Sequence, residues 1–302
     1  MMTQPATPAT LKPQAVIPDD PVLSARPENR VWKKFRTHRS AMLGGILVGF
    51  FVAMAVFAPI LPIPDPTATD WGAVRQAPSA AHPLGTDEIG RDVLARLIWG
   101  ARASLMAGVV SVAIAVAFGV PLGILAGYFG GWTDSVISRC TEALLAAPFL
   151  ILAIALAAFL GPSLTNAMIA IGLSATPIFI RLTRGEVISV KAEDYVDGAR
   201  AIGLSTPRIL TRYIFPNVLP PVLVQATLTI ATAIIAEASL SFLGLGQQPP
   251  APSWGSMLNT AKNFLAQAPW MALWPGIAIF LVVLGFNLLG DGLRDALDPR
   301  EN

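Results

Sequence analysis

Residues 193–216 read EDYVDGARAIGLSTPRILTRYIFP and form a polar segment between two long apolar runs. From Glu193 to Ile202 the residues favour a helix, whose apolar side has positions spaced at i, i+4 and i+7: Tyr195, Ala199 and Ile202. Asp197 and Arg200 lie three residues apart and are expected to form an ion pair on the exposed side. So much polar sequence between two apolar runs indicates a surface on which another molecule docks.

The second half of this segment has the signals of a glycine turn and a second short helix. Gly203 follows the first helix at the position where a left-handed C-cap is expected. Thr206 offers an N-cap oxygen, and Pro207 suits the first helical position. The second helix is expected to stop at Pro216. Two capped helices joined at a glycine predict a stiff element rather than a flexible loop.

The composition of the chain places it in a lipid bilayer. Of its 302 residues, 54% are hydrophobic and 13% are charged, whereas soluble domains carry about 25% charged residues. Apolar runs of about 20 residues are long enough to cross the hydrocarbon core as helices. We predict an all-α integral membrane protein with a transmembrane domain at 41–290. Its six crossing helices are expected at residues 41–61, 105–127, 144–160, 166–183, 221–240 and 270–290.

These spans divide the chain into loops on two sides of the membrane. Residues 62–104 and 241–269 form the long outer loops, and residues 184–217 form the long inner loop. Residues 1–40 are expected to be a disordered, Pro-rich cytoplasmic tail that ends in a basic segment, and residues 291–302 a second cytoplasmic tail. Counted from Arg26 onward, this orientation places 14 Lys and Arg residues inside and five outside. The positive-inside rule therefore favours a multi-pass protein with both termini in the cytoplasm.

The sequence offers no evident site for a metal, a nucleotide or a catalytic reaction. Cys140 is the single cysteine, and His38 and His82 are the only histidines, so a His/Cys metal cluster is not expected. None of the five lysines follows a Gly-rich phosphate-binding loop. The net charge of +2 is small, which argues against a nucleic-acid partner. We expect no catalytic residue and no cofactor in this chain.

Polar residues within the predicted spans are candidates for a polar path through the membrane. Glu237 lies near the outer end of the fifth span, where an ionisable group is costly; it either lines a cavity or forms hydrogen bonds between helices. Gln225 and Thr229 lie in the same span, and Asn166 and Ser174 lie at the start and middle of the fourth. A hydroxyl group can also bond to the backbone of its own helix, so this assignment stays open.

Glycines recur at helix-packing spacing in the first two spans. Gly45 and Gly49 form one pair, and Gly119, Gly123 and Gly127 form a double GxxxG pattern. Such patterns allow two helix backbones to approach closely. They predict packing either within this chain or against a partner subunit.

The outer segment before the second span is rich in charge. Asp87, Glu88, Arg91 and Asp92 follow one another closely. The apolar positions after them predict an amphipathic element outside the second span: Val93, Leu94, Leu97 and Ile98. This segment is expected to be either a docking platform or a self-packed cap over the mouth of the spans. Trp254, near a predicted membrane edge, is an interfacial anchor or a further contact of this platform.

The segment 193–216 resembles the cytoplasmic "EAA" loop of ABC importer permeases, on which the ATPase subunit sits. That pattern has Glu-Ala-Ala, a glycine four residues after the second alanine, and an Ile-x-Leu-Pro ending. This chain has Asp197-Gly198-Ala199, Gly203 and Tyr213-Ile214-Phe215-Pro216 at the matching spacing. The departures keep the acid, the bend and the final proline. The resemblance implies that the following residues couple to the ATPase: Asp197, Gly198, Ala199, Arg200, Gly203, Pro207, Arg208 and Pro216. We call residues 193–216 the coupling element.

Four further segments are similar to the second permease subunit of dipeptide and oligopeptide ABC importers. They are HPLGTDEIGRDVLARLIWGAR at 82–102, EASLSFLGLG at 237–246, PPAPSWGSML at 249–258 and FNLLGDGLRDALDPR at 286–300. Together they cover most of residues 81–300 and are more specific than the coupling element alone.

This resemblance implies a type I ABC importer permease fold in the inner membrane of a bacterium. It implies a heterodimer with a homologous permease subunit, two ATPase subunits that bind ATP and Mg, and an external solute-binding protein that docks on the outer segment. The cargo is expected to be a dipeptide or oligopeptide. Glutathione, cell-wall peptides, nickel complexes and opines are the alternatives within the same machine.

Two other classes of membrane protein are alternatives to an ABC importer permease. An ion-coupled secondary transporter usually has charged relays near the midplane and internal repeats; the sequence shows neither a mid-span acid pair nor a convincing repeat. A scaffold or receptor without cargo is disfavoured weakly by the proline- and glycine-rich spans. Reconstituted uptake separates these classes.

Overall fold

The structure, a computed structural model, describes residues 38–297. Expectations for residues 1–37 and 298–302, which include the Pro-rich tail, lie outside the described residues. The regular elements of the described range are helices, which confirms the predicted all-α fold. In chain order they are α1 Arg39–Phe57, α2 Val93–Phe129, α3 Gly131–Leu145, α4 Phe149–Leu160, α5 Leu164–Lys191, α6 Asp194–Ala201, α7 Thr206–Ile209, α8 Phe215–Phe242, α9 Trp254–Ala261 and α10 Trp270–Leu297.

Several helical stretches of the described chain are long and apolar enough to cross a membrane. They are Arg39–Ile60, Val93–Phe129, Leu164–Lys191, Thr206–Phe242 and Trp270–Leu297. The third predicted span, 144–160, is not one straight helix, because α3 and α4 pass this test only together and meet at an angle of 91°. Pro148 is the N-cap residue of α4. A proline disfavours helix in the residue before it and cannot donate a backbone hydrogen bond, so α3 ends there.

The second crossing helix begins earlier than predicted, at Val93 rather than at Leu105. Asp92 caps it, since its Oδ1 accepts the backbone N–H of Ala95 at 2.8 Å. No proline interrupts residues 93–104, so the helix continues without a break. Val93, Leu94, Leu97 and Ile98 lie in the first turns of α2, so the predicted amphipathic element is continuous with the second crossing helix.

Helices α2 and α5 pack against each other along a glycine seam. A Cβ added at Gly119 would lie 2.5 Å from Phe179 Cβ, and one added at Gly127 would lie 2.8 Å from Val187 Cβ. Earlier along both helices, Ser111 Oγ donates to the Met168 carbonyl at 3.0 Å. The contacts therefore advance in the same direction on both helices, and α2 and α5 are parallel. The double GxxxG pattern predicted this packing, which lies within the chain.

The parallel seam fixes the number of crossings. Two parallel helices enter the membrane from the same side, so the chain must cross back between Phe129 and Leu164. Only α3 and α4 lie in that interval. The bent pair is therefore one broken span, and the described chain crosses the membrane six times.

The first and last crossing helices are antiparallel neighbours. His38 Nε2 lies 3.1 Å from Asp295 Oδ2, which places the start of α1 beside the end of α10. A Cβ added at Gly44 would lie 2.6 Å from the Leu289 backbone nitrogen, and one at Gly292 would lie 2.2 Å from Ala41 Cβ. The predicted pair Gly45 and Gly49 does not make this contact. A Cβ added at Gly45 would meet only Leu289 Cδ1, at 4.0 Å, and a Cβ added at Gly49 would meet no atom within 4 Å. Spacing alone does not show which face of α1 meets its neighbour.

The coupling element lies on the same side of the fold as these two helix ends. Helix α8 is antiparallel to α2, since Ser104 contacts Glu237 and a Cβ at Gly108 would meet Ile234. The start of α8 therefore lies beside the end of α2. On the opposite side, Trp270 Nε1 donates to the Thr86 carbonyl at 3.1 Å and joins the two long loops.

The second half of the coupling element differs from the sequence prediction. Ser205 rather than Thr206 is the N-cap residue of α7, without a side-chain cap hydrogen bond. A π-helical turn, Leu210–Ile214, follows and leads directly into α8. Pro216 lies in the first turn of α8 and does not end the helix, because the first backbone N–H groups of a helix need no intrahelical acceptor. The prediction of a stop at Pro216 is wrong.

Candidate functional site

The glycine turn of the coupling element has the predicted geometry. Gly203 has a φ of +78°. Its N–H donates to the Arg200 carbonyl at 2.9 Å, and the Leu204 N–H donates to the Ala199 carbonyl at 3.1 Å. These two bonds form a Schellman motif, which confirms the predicted C-cap. An added Cβ would meet nothing within 4 Å, so the left-handed backbone, not crowding, is what favours glycine here.

The buried face of α6 is not the predicted one. Val196 and Ala199 are buried and join the main core cluster. Tyr195 is 44% exposed and Ile202 is 76% exposed, so the predicted apolar side is wrong for these two residues. Helix α6 ends at Ala201, and Ile202 therefore belongs to the turn. The i, i+3 spacing of Val196 and Ala199 is the signal that could have identified the buried face.

The exposed face of the coupling element carries both charge and apolar surface. Arg200 Nη1 donates to Asp197 Oδ1 at 2.7 Å, which confirms the predicted ion pair. The other exposed members of the predicted set are Gly198, Gly203, Pro207, Arg208 and Pro216, and Ala199 is buried. Sequence reasoning missed Ile202 as a surface residue. The exposed surface of the coupling element therefore combines an apolar side chain, Ile202, with an ion pair.

Thr229 and Ser174 bond within their own helices, and Asn166 bonds to the turn that precedes α5. Thr229 Oγ1 donates to the Gln225 carbonyl at 2.7 Å and accepts from Gln225 Nε2 at 3.1 Å. Ser174 Oγ donates to the Ala170 carbonyl at 2.8 Å. Asn166 Nδ2 donates to the Leu160 and Gly161 carbonyls and braces the turn between α4 and α5. In residues 38–297 no hydrogen bond joins the candidates of α5 to those of α8.

Glu237 lies in a closed cluster of hydroxyl groups. Its side chain is 0% exposed. Ser104 Oγ donates to Oε2 at 3.0 Å, and Ser241 Oγ donates to Oε1 at 2.7 Å. Ser104 also accepts the Trp254 backbone N–H at 3.2 Å. Of the two roles open to Glu237, these contacts match hydrogen bonding between helices, since they join α2, α8 and the start of α9.

Trp254 lies in the protein core. It is 0% exposed, its Nε1 donates to the Leu97 carbonyl at 3.0 Å, and its ring meets Phe51 edge to face at 5.5 Å. Ser253 and Ser256 form a capping box that starts α9 and turns the indole inward. A residue without surface cannot anchor at the membrane interface or touch a docked protein. The structure therefore does not support either expectation for Trp254.

The charged outer residues form a buried ion network. Asp87, Arg91 and Asp92 are buried. Arg91 Nε lies 2.6 Å from Asp87 Oδ2, and Arg91 Nη2 lies 2.5 Å from Glu88 Oε1. Asp92 contacts His82 Nδ1 at 2.9 Å. Of the two alternatives, this geometry favours the self-packed cap.

Glu88 keeps some exposed surface within this network. Burial raises the pKa of its carboxyl above the usual range, and the nearby Asp87 charge adds to this increase. Its Oε2 has no hydrogen-bond partner among the described residues. Of the four charged candidates, Glu88 alone retains surface for a docked protein.

The sequence analysis did not predict a salt bridge between α5 and the first helix of the broken span. Arg184 of α5 donates through Nε and Nη2 to the two carboxylate oxygens of Asp134 on α3, at 2.5 and 2.7 Å. Such bidentate pairs are among the stronger charged contacts. Within the described part of the chain, no group of three or more His, Cys, Asp or Glu residues could hold a metal ion.

Comparison with known proteins gives matches over the whole length. Residues 119–302 match the family model described as "Binding-protein-dependent transport system inner membrane component", and residues 29–78 match "N-terminal TM domain of oligopeptide transport permease C". The dipeptide transport system permease protein DppC of Alkalihalophilus pseudofirmus is 46% identical over 301 residues, 99% of each chain. The glutathione transport system permease protein GsiD of Escherichia coli is 44% identical over 275 residues, 91% of each chain.

Solved structures with a similar fold are more distant in sequence. The inward-facing MetNI methionine ABC transporter matches with a TM-score of 0.55 and 19% identity, covering 68% of this chain and 98% of that chain. An amino acid ABC transporter matches with a TM-score of 0.52 and 17% identity, covering 67% and 94%. At these identities the likeness concerns the fold alone.

Proposed function

The chain belongs to the binding-protein-dependent transport system inner membrane components, and on that premise we propose that it moves dipeptides or oligopeptides delivered by an external solute-binding protein. It is a permease subunit of an ABC importer and not itself an enzyme. It has the type I importer permease fold. The observation that carries the proposal is the exposed, rigid coupling element on one side of six crossings.

The side that bears the coupling element is the cytoplasmic side. The described basic residues on that side include Lys191, Arg200, Arg208, Arg212 and Arg294, and the positive-inside rule assigns such a side to the cytoplasm. The start of α1 and the end of α10 lie on the same side. Both termini of the protein are therefore cytoplasmic in this proposal, and the membrane is the bacterial inner membrane.

The partners follow from this orientation. Two ATPase subunits, which bind ATP and Mg, dock on the coupling elements of this chain and of a homologous permease subunit. Ile202 supplies an apolar contact at the tip, and the Asp197–Arg200 pair supplies polar contacts beside it. An apolar residue rimmed by charge is the usual composition of a binding hot spot. Glu88 is the outer residue proposed to contact the binding protein.

Glutathione is the second candidate cargo. The relatives named for glutathione transport are nearly as similar to this chain as the one named for dipeptide transport, at 44% and 46% identity. Both cargoes carry an amino group, at least one free carboxylate and at least one amide bond. Nickel complexes, opines and cell-wall peptides remain the other candidate cargoes.

Reconstitution of the complete complex tests the proposed function. We expect proteoliposomes with both permease subunits, both ATPases and the binding protein to accumulate a labelled dipeptide only when ATP is supplied on the ATPase side. The purified chain alone should hydrolyse no ATP. Uptake that persists without the ATPases and collapses with an ionophore would instead identify an ion-coupled transporter. Glutathione uptake without dipeptide uptake would select the second cargo.

Substitutions on the coupling element should disconnect the ATPases. Asp197→Lys reverses a charge and Ile202→Asp removes the apolar tip, so each is expected to lower uptake about tenfold, as for loss of a hot-spot contact. ATPase subunits should co-purify poorly with both variants, whereas membrane insertion should be normal. Glu142→Lys is the matched control, since Glu142 forms a similar exposed i, i+3 pair with Arg139 on the same side, at 3.3 Å. Normal uptake by Asp197→Lys and Ile202→Asp would contradict the docking assignment.

A further inference from the structure

Tyr128 of α2 lies between two cations that belong to other elements. Lys191 Nζ, in the last turn of α5, donates to the Tyr128 carbonyl at 2.6 Å and lies 5.5 Å from the centre of its ring. Arg200 Cζ, on α6, lies 5.8 Å from the same centre. Cations at these distances are attracted to the face of an aromatic ring. One side chain therefore joins the ends of α2 and α5 to the coupling element.

Arg200 connects this ring to the docking surface. Its guanidinium donates to Asp197 at 2.7 Å while it lies over Tyr128. Helix α6 is short and buries only Val196 and Ala199 among its eight residues. The contact with Tyr128 therefore adds a direct link between α6 and the end of α2.

Helices α2 and α5, which carry Tyr128 and Lys191, form one unit. The seam between α2 and α5 brings backbone against backbone: a Cβ added at Gly123 would lie 2.8 Å from the Ile180 carbonyl, and one at Gly127 would lie 2.9 Å from the Arg184 carbonyl. Packing this close resists sliding or separation. Force applied at the Tyr128 ring therefore moves α2 and α5 together.

The connection from the coupling element to α8 is different in kind. It passes through the π-helical turn Leu210–Ile214 and then through a segment with prolines at 216, 220 and 221. Each proline lacks a backbone N–H, and π-helical turns are often found at functional sites. The backbone of this path lacks the hydrogen bonds that Pro220 and Pro221 cannot donate, and α6 also contacts it through the stacked rings of Tyr195 and Tyr213, whose centres are 6.4 Å apart.

We propose that Tyr128 is a positioning residue that transmits movement of the coupling element to the α2–α5 unit, while the π-helical turn lets α8 move separately. This inference rests on the proposed function of the coupling element. In the proposal, a push on α6 changes the distance between α8 and the α2–α5 unit and so opens or closes the membrane domain.

The substitution Tyr128→Leu tests this role. It removes the ring but keeps the backbone carbonyl that binds Lys191 and keeps a side chain that packs on the core. We expect the amount of peptide taken up per ATP hydrolysed to fall about fivefold, as two exposed cation–π contacts are lost. Tyr128→Phe keeps the ring and should restore the wild-type ratio. Phe118→Leu is the matched control, because Phe118 is an exposed aromatic residue of the same helix and contacts neither a described cation nor another described aromatic ring.

A second measurement does not depend on cargo. In a Cys140→Ser background, spin labels at Leu125 of α2 and Leu219 of α8, both exposed, report the distance between the two moving parts. We expect ATP binding to change this distance in the wild-type complex, and Tyr128→Leu to lose most of that change while its ATPase subunits still co-purify. Co-purification of the ATPase subunits with Tyr128→Leu distinguishes this inference from the proposed function. The proposed function fails if the ATPase subunits do not bind through the coupling element.

The results that overturn the inference are equally specific. An unchanged uptake ratio and an unchanged ATP-dependent distance in Tyr128→Leu would do so. If Tyr128→Leu fails to assemble, Lys191→Met removes one cation and keeps both the ring and the Asp197–Arg200 docking pair. A reduced distance change in Lys191→Met with its ATPase subunits still bound supports the transmitting role, and a normal change excludes it.

Discussion

Replacement of Gly123 by leucine should prevent the permease from reaching its folded state. A Cβ at this position would lie 2.6 Å from Thr183 Cβ and 2.8 Å from the Ile180 carbonyl oxygen. A backbone atom of a crossing helix cannot move aside as a flexible side chain can. Overpacking in a close-packed core costs typically 1–3 kcal/mol, and four extra carbons against a backbone are expected to exceed this range. We expect almost no monodisperse protein on size-exclusion chromatography in detergent.

Gly49→Leu is the control for this prediction. Gly49 lies in another crossing helix, and a Cβ there would meet nothing within 4 Å. The variant adds the same side chain to the same kind of helix, so its yield and its thermal midpoint should match the wild type. A Gly123→Leu protein with the wild-type elution profile and thermal midpoint would refute the close seam between α2 and α5.

Glu237→Leu is expected to loosen the outer side of the protein. The change leaves the hydroxyls of Ser104 and Ser241 without their carboxylate acceptors. Burying a polar group without a partner costs about 1–3 kcal/mol, so the free energy of unfolding should fall by roughly 2–4 kcal/mol. Ser104 also holds the Trp254 backbone, and the start of α9 should therefore detach first. Limited proteolysis should cut residues 243–253 faster than in the wild type.

Glu237→Gln separates the hydrogen bonds from the charge. The amide keeps one oxygen acceptor of the same shape, and serine hydroxyls can rotate to accept from its nitrogen. We expect a much smaller loss of stability than for leucine. Glu142→Leu, at an exposed position, should change neither the thermal midpoint nor the proteolysis rate. Equal stability of Glu237→Leu and the wild type would show that the serine cluster does not hold the outer side.

The helix-packing pattern of α2 could be predicted from the sequence, but the residue at which α2 begins could not. Three glycines at regular spacing allow only one close face, and α5 occupies it. The boundary at Val93 depends instead on the cap supplied by Asp92, and a hydropathy pattern does not detect a cap. The break between α3 and α4 was hidden for a related reason. Apolar residues on both sides of Pro148 look continuous although the backbone turns by 91°.

Burial of the polar and aromatic outer residues could not be predicted from local sequence. Asp87 and Arg91 are charged, which indicates exposure for each residue alone, yet they neutralise each other in the fold. Trp254 lies near a membrane edge in sequence but is turned inward by a capping box and by its contact with Phe51. Phe51 lies more than 200 residues away in the chain. Only long-range packing decides such positions.

The meeting of the first and last crossing helices has a practical consequence for protein engineering. His38 and Asp295 are in direct contact at 3.1 Å, so a short linker between these positions would close the backbone into a ring without stretching it. Circular permutation tolerates such adjacent ends, and new ends are best opened at an exposed loop tip. A permuted chain opened between Pro78 and Ala81, in an exposed stretch of the first outer loop, would present its new N- and C-termini on the opposite side of the fold from His38 and Asp295.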